Sequence, residues 1–134
     1  MERTFKATDE KLYEVIAFVE EELEKYRPDM KAMMAITVAL EEMFVNVAHY
    51  AYPDSEGEIT VSINADEDTA EIRLIDEGVP FDPLKKEDPD IKAGVEERDI
   101  GGLGIFMVKR SMDECFYERK GRQNIFTMKR KLRK

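Results

Sequence analysis

Cysteine is nearly absent from this 134-residue chain. Cys115 stands alone, which excludes an internal disulfide and a cysteine-rich zinc site and fits a reducing compartment. Histidine is as scarce: His49 by itself cannot build a multi-histidine metal centre or a catalytic pair of histidines. No apolar run approaches the ~18 residues of a membrane span, and the opening MERTFKATDEK lacks a signal-peptide pattern. A cytoplasmic location is therefore expected, with no membrane partner. Basic residues are outnumbered, 21 Lys and Arg against 30 Asp and Glu, for a formal net charge of -9. That sign speaks against nucleic acid, whose phosphates are bound through Lys and Arg that displace counterions. Positive charge gathers only at the end, where Lys129, Arg130, Lys131, Arg133 and Lys134 read as a solvated tail on the last strand.

What the chain does have is 43% hydrophobic and 38% charged residues, the mark of a soluble globular protein. Its length fits one domain over 1–134 with a real core. RTFKA alternates and predicts a short edge strand. A helix follows, with Thr8 or Asp9 as N-cap and Leu12, Val15, Ile16, Val19, Leu23 and Tyr26 at helical spacing. A second helix is predicted from about 30 to 52, its apolar stripe made by Met33, Ile36, Leu40, Met43, Phe44, Val47 and Ala51, with Pro53 as its stop. Residues 59–64 and 69–75 alternate and read as a hairpin with one face on a core. VPFDPLKKEDPDIKAGVEERDI is too long for an idle connection and reads as a lid, a binding loop or a disordered segment. GGLGIFMVKRSM reads as a glycine-rich turn into a short helix, and a second hairpin about Gly121 closes the chain. Helices and strands in separate runs give an α+β class: a two-layer sandwich, one mixed and mainly antiparallel sheet with helices on one face.

Three places can carry chemistry. Glu42 and Asn46 in ALEEMFVNVAHYAYP stand four residues apart, so one ligand can meet both. A carboxylate takes or orients a proton, and an amide oxygen suits Mg²⁺, which fills its shell with water and phosphate. The same spacing also describes a solvated helix flank. Asp76 follows a hydrophobic strand with Gly78 two residues on: either an ordinary turn, or an acceptor for an exocyclic amine beside a glycine that lets a flat ring approach. Gly101, Gly102 and Gly104 open a helix, as a hinge or as a phosphate-binding end with free N–H groups. Singly these are common. In this order, with a charged loop between the last two, they supply a base, a metal ligand, a purine acceptor, a phosphate cradle and a lid.

EEMFVN, DEGVPFD and GGLGIFMV resemble the N box and the two glycine boxes of the Bergerat-fold (histidine kinase-like, GHKL) ATPases, the group that holds histidine kinases and gyrase. The similarity is to the small anti-sigma factor protein-serine kinases and runs nearly the whole chain, leaving no room for a histidine-bearing dimerisation domain. It implies ATP and Mg²⁺, with Glu42 as general base, Asn46 as Mg²⁺ ligand, Asp76 on the adenine amine and Gly78 beneath the ring. It implies that Gly102 and Gly104, with the amides of Leu103 and Ile105, meet the phosphates. The ATP lid would run from about 85 to 100, with Lys85, Lys86, Lys92 and Arg98 as candidates for the γ-phosphate. Glu41 points about 100° around the helix from Glu42, so spacing to Asn46 selects Glu42. The implied partners are a STAS-type anti-sigma antagonist, phosphorylated on Ser or Thr, and a sigma factor; a homodimer is a further expectation.

The chain departs from the family in three places, one of them a lid short of basic residues to reach the γ-phosphate. His49 comes one place early and reads as a helix-surface residue with no partner for acid–base work. Asn124 falls about where the family often has Gly-Thr, whose hydroxyl helps the adenine pocket. Two rival readings stay beside the kinase: a nucleotide-dependent partner-binding module without transfer, and a nucleotide-free α+β adaptor.

Overall fold

Strand parity and helix periodicity together place one layer of helices on one face of one sheet. The structure, a computed structural model, describes residues 1–53, 56–85 and 100–133, with the backbone alone of 85 and 100–103. The expected lid and three of its candidate cations, Lys86, Lys92 and Arg98, fall outside the described residues, as does the side chain of Lys85.

The elements are β1 (Glu2–Lys6), α1 (Leu12–Glu24), α2 (Met30–Tyr50), β2 (Glu58–Ala65), β3 (Thr69–Asp76), α3 (Ile100–Ser111), β4 (Glu114–Lys120) and β5 (Gln123–Lys131). Thr8 precedes a short 3₁₀ turn, Asp9–Lys11, without a side-chain cap bond, so the expected capping is not made. Val15, Val19 and Leu23 repeat at i+4 and bury one face of α1. Asp29 caps α2 by accepting from the amide of Ala32 at 2.7 Å, satisfying one of the donors that a helix start leaves orphaned. Ile36, Leu40, Met43, Phe44 and Val47 carry the apolar stripe of α2 into the core. By length and mean hydropathy α2 is the described helix that could cross a membrane, a property the eye misses because Glu41 and Glu42 interrupt the run. Its stripe is spent on the sheet, as in the core helix of a globular domain.

The sheet runs β1-β2-β3-β5-β4 with every described pairing antiparallel, where a mixed sheet was expected. Ile59, Val61 and Ile63 of β2 and Ala70, Ile72 and Leu74 of β3 point inward, and period two carries Asp76 to the same face. On β5 that face holds Asn124, Phe126 and Met128, paired in register with Asp76, Leu74 and Ile72. Two polar residues thus stand opposite each other at the end of an otherwise apolar ladder.

The basic end is not a solvated tail. Lys129, Arg130 and Lys131 lie within β5. Leu132 is fully buried, its amide donating to Asp68 and its carbonyl accepting from Asp29, both at 2.8 Å. The Arg133 guanidinium donates to the carbonyls of Glu67, Tyr26 and Arg27. This closing segment therefore pins the β2–β3 turn and the α1–α2 turn together. Leu132→Ala is expected to cost about 3 kcal/mol, read as a lower urea midpoint; an unchanged midpoint would contradict this packing.

Candidate functional site

Asn46 faces inward about one turn before the end of α2 and is 7% exposed. Its Oδ1 is buried and, among the described residues, has no hydrogen-bond partner. Leaving such an atom unmade costs about 1–3 kcal/mol, and native proteins seldom tolerate it without a reason. The solvated-flank reading of this residue is therefore wrong. Glu42, one turn earlier, is half-buried, while Glu41 is exposed. The Glu42 carboxylate lies against Gly104 of α3, where an added Cβ would collide with its Oε2. Gly104 is thus explained by close approach to the carboxylate.

The glycine-rich stretch differs from expectation. Helix α3 already begins at Ile100, so Gly101 and Gly102 are helical residues and not a turn before the helix. A helix leaves the N–H groups of its first turn unbonded, and within α3 these belong to residues 100–102. Gly102 keeps a place at that free end, whereas the amides of Leu103, Gly104 and Ile105 fall inside the helical ladder. The side chain of Ile105 is buried in the core and anchors the helix.

Asp76 closes β3, 4% exposed. The Gly78 amide and Asn124 Nδ2 both donate to its Oδ1 at 2.8 Å. Among the described residues no hydrogen bond falls on Oδ2, which leaves one acceptor available. Burial pushes the Asp76 carboxyl above its ordinary pKa; Asn124, the Gly78 amide and the charge of Arg119 pull the other way. A carboxylate so raised favours folding while protonated, below its unfolded pKa near ~3.9, and that contribution is lost as pH rises through the folded value. At pH 7 Asp76→Asn keeps the shape without the buried charge. Its urea midpoint is expected at or above the parent's, and a clear drop would contradict the site's electrostatics.

The loop after Asp76 is held from three sides. An added Cβ on Gly78 would strike the Ala51 carbonyl, which accepts from Val79 N–H at 2.9 Å. Arg119 Nη1 donates to the Gly78 carbonyl at 2.8 Å. The Tyr52 hydroxyl donates to Glu58 O at 2.7 Å and accepts from the Glu77 amide at 2.9 Å. Tyr52 was not singled out by the sequence, although its place beside Pro53 at the end of the α2 stripe was a usable signal.

Of the expected site residues, Asn46 and Asp76 meet in one place, while Glu42, Gly78 and Gly104 lie outside its wall. A narrow crevice of about 10 Å³, room for about one water, is lined by Asn46, Val47, Asp76, Phe81, Tyr117 and Asn124, among others. Phe81 stacks on Tyr50 with centroids 5.7 Å apart. A much larger depression, about 1040 Å³, lies open over Thr4, Lys6, Glu58 and Thr60. Volume favours that depression. Asp76 borders both, but only the crevice also has Asn46, with its buried amide oxygen, in its wall, so chemistry favours the crevice. His49 is exposed as expected, yet it has a partner: its Nε2 stands 3.0 Å from both oxygens of Asp9, tying the end of α2 to the start of α1.

The donor set fits magnesium better than a caged transition metal. Among the described residues no cluster of three His, Cys, Asp or Glu could hold a metal. Mg²⁺ keeps several waters and takes few protein ligands beside substrate phosphate, and Asn46 Oδ1 offers it one hard oxygen.

Residues 5–130 match the family described as histidine kinase-like ATPase domain. Among curated proteins the chain is similar to the serine-protein kinase RsbW of a Bacillus cereus strain, 36% identical over 81 residues, 58% of this chain and 51% of that protein. It is also similar to the serine-protein kinase RsbW of Listeria innocua, 35% identical over 89 residues, 63% of this chain and 57% of that protein. The chain thus spans about half the length of the curated relatives it matches. Among solved structures it resembles the catalytic domain of the histidine kinase ThkA, TM-score 0.57 at 16% identity over 99% of this chain and 98% of that one. It resembles a chain of the SiaB–SiaC complex from Pseudomonas aeruginosa, TM-score 0.51 at 14% identity over 96% and 89%. At such identities these two show the shared fold.

Proposed function

This chain belongs to the histidine kinase-like ATPase domain family, and on that premise we propose that it is an ATP-binding anti-sigma regulatory factor. It transfers phosphate to a serine or threonine of a STAS-type antagonist and holds a sigma factor as its second partner. The observation that carries this reading is the buried, unpaired Oδ1 of Asn46 in the same crevice as Asp76. Similarity to proteins named serine-protein kinases supports the reaction class.

Adenine enters between Asp76 and the α2 wall by widening a crevice that now has room for about one water, its amine donating to Oδ2, with Gly78 admitting the ring. Asn46 is the protein ligand for Mg²⁺, which when bound neutralises charge between the phosphates. The free amides at the start of α3 meet phosphate oxygens, where the helix dipole favours negative charge. Glu42 takes the proton of the acceptor hydroxyl. Catalysis of this kind is mostly positioning and charge stabilisation, so a small domain suffices. The net charge of -9 suits basic faces on either protein partner.

A nucleotide-dependent partner-binding module without transfer is the second reading. The early start of α3 favours it, since that withdraws the Leu103 and Ile105 amides from the phosphates. Labelled ATP, Mg²⁺ and a candidate antagonist domain separate the two. Label on a serine or threonine of the antagonist supports the kinase; nucleotide binding with no label supports the module.

A further inference from the structure

Asn124 uses its whole hydrogen-bonding capacity inside the crevice. Its Nδ2 donates to Asp76 Oδ1 and to the Val79 carbonyl, both at 2.8 Å. Its Oδ1 accepts from the Tyr117 hydroxyl and, at 3.4 Å, from the Phe81 amide. The amide cannot be turned over without opposing its oxygen to a carboxylate and a carbonyl, so the network fixes its orientation. Asn124 is 4% exposed and sits directly across the β3–β5 pair from Asp76. It therefore joins the purine acceptor, the loop of Val79 and Phe81, and Tyr117 of β4. A hydroxyl at that position has one donor, too few to hold both the carboxylate and the loop carbonyl.

We propose that Asn124 is the positioning residue that sets base recognition in this crevice: it occupies Oδ1 of Asp76 and so presents Oδ2 as the single acceptor for a purine 6-amino group. This rests on the proposed nucleotide site and deepens it. An ionised carboxylate with one oxygen tied up accepts from an amine and repels the carbonyl oxygen of a 6-oxopurine. Loss of the Asn124 donor frees the carboxylate to rotate and to take up a proton. A protonated Asp76 offers a donor and discriminates poorly.

Asn124→Asp makes the sharpest test, because it changes one atom and removes no volume. Two carboxylates then face each other where Nδ2 now donates, and such a pair shares one proton. The other titratable or charged groups at this point are the Tyr117 hydroxyl, the Arg119 guanidinium, which acts on Asp76 by charge, and the Tyr52 hydroxyl, which feels the charge of Asp76. With the shared proton present, at lower pH, the variant keeps a hydrogen bond to Asp76 while losing the one to the Val79 carbonyl, and binds ATP·Mg²⁺ within a few-fold of the parent's affinity. As pH rises and that proton leaves, repulsion disorders the acceptor and affinity falls by about tenfold or more. The parent shows no such slope over the same range.

Tyr117→Phe is the second variant, since it removes only the donor to Asn124 Oδ1 and leaves the strand packing. Parent and variant are titrated with ATP and with purine riboside triphosphate, which lacks the 6-amino group. The parent prefers ATP, and the variant's preference is expected to shrink several-fold, a change that a merely structural Asn124 would not produce. A folded Asn124→Asp that binds ATP like the parent at every pH overturns the inference, as does an unchanged preference in Tyr117→Phe. A parent that binds no ATP at all overturns the proposed function, and the inference with it.

Discussion

Asn46→Leu is expected to raise the stability of the protein while abolishing magnesium-dependent nucleotide binding. The two effects have opposite signs because Oδ1 of Asn46 is buried and unpaired. An apolar side chain of similar volume removes a desolvated polar atom that nothing in the fold compensates, a gain of about 1–2 kcal/mol. Neighbours on the stripe, Met43 and Val47, are buried and apolar, so a leucine meets compatible surroundings. The same change deletes the proposed oxygen ligand to magnesium, and the added effect of Mg²⁺ on ATP affinity is expected to disappear. Thermal or urea unfolding gives the first half, and titration with ATP in the presence and absence of Mg²⁺ gives the second. A leucine variant that is clearly destabilised, or that still binds ATP more tightly with Mg²⁺, would show that Asn46 is a structural residue.

The second large effect is on transfer. Glu42→Gln should lower the rate of phosphoryl transfer to the antagonist by about 10²–10⁴-fold, the usual worth of a positioned general base. ATP affinity should stay within a few-fold of the parent, because Glu42 lies against Gly104 of α3 and is not among the residues lining the crevice that holds Asp76. The glutamine keeps the size and the contact against Gly104, so the loss would report the missing base and not a rearranged helix pair. Single-turnover transfer of labelled phosphate measures it directly. Full transfer by the glutamine variant would remove Glu42 from the mechanism and favour activation of the acceptor hydroxyl by another group.

How far the sequence carried these conclusions depends on which residues report locally. Ile59, Val61, Ile63 and Ala70, Ile72, Leu74 alternate, so the β2–β3 hairpin and its buried face were legible, and parity alone carried Asp76 inward. The i, i+4 spacing likewise put Glu42 and Asn46 on one side of α2. What sequence patterns do not hold is register between strands distant in the chain. Asn124 meets Asp76 only because β5 inserts between β3 and β4, a choice made by the whole sheet. The start of α3 was misplaced because glycines read as a turn, while tertiary contact of Gly104 with Glu42 supports a helix there. Charge misled at the end of the chain: Arg133 looked solvated, yet its fork fits three carbonyls that belong to two separate turns. The Asp9–His49 pair, forty residues apart, was invisible for the same reason.

A purine clasped at the end of β3 and a metal held by an amide on α2 must occupy one continuous crevice. Amide and side-chain NMR of the parent, titrated with ATP and then with Mg²⁺, tests that most directly. ATP alone should shift Asp76, Gly78 and Asn124, and the later addition of Mg²⁺ should shift the Asn46 side-chain amide. Spectra left unchanged at millimolar ATP, or Mg²⁺ shifts confined to surface carboxylates far from Asn46, would contradict the account.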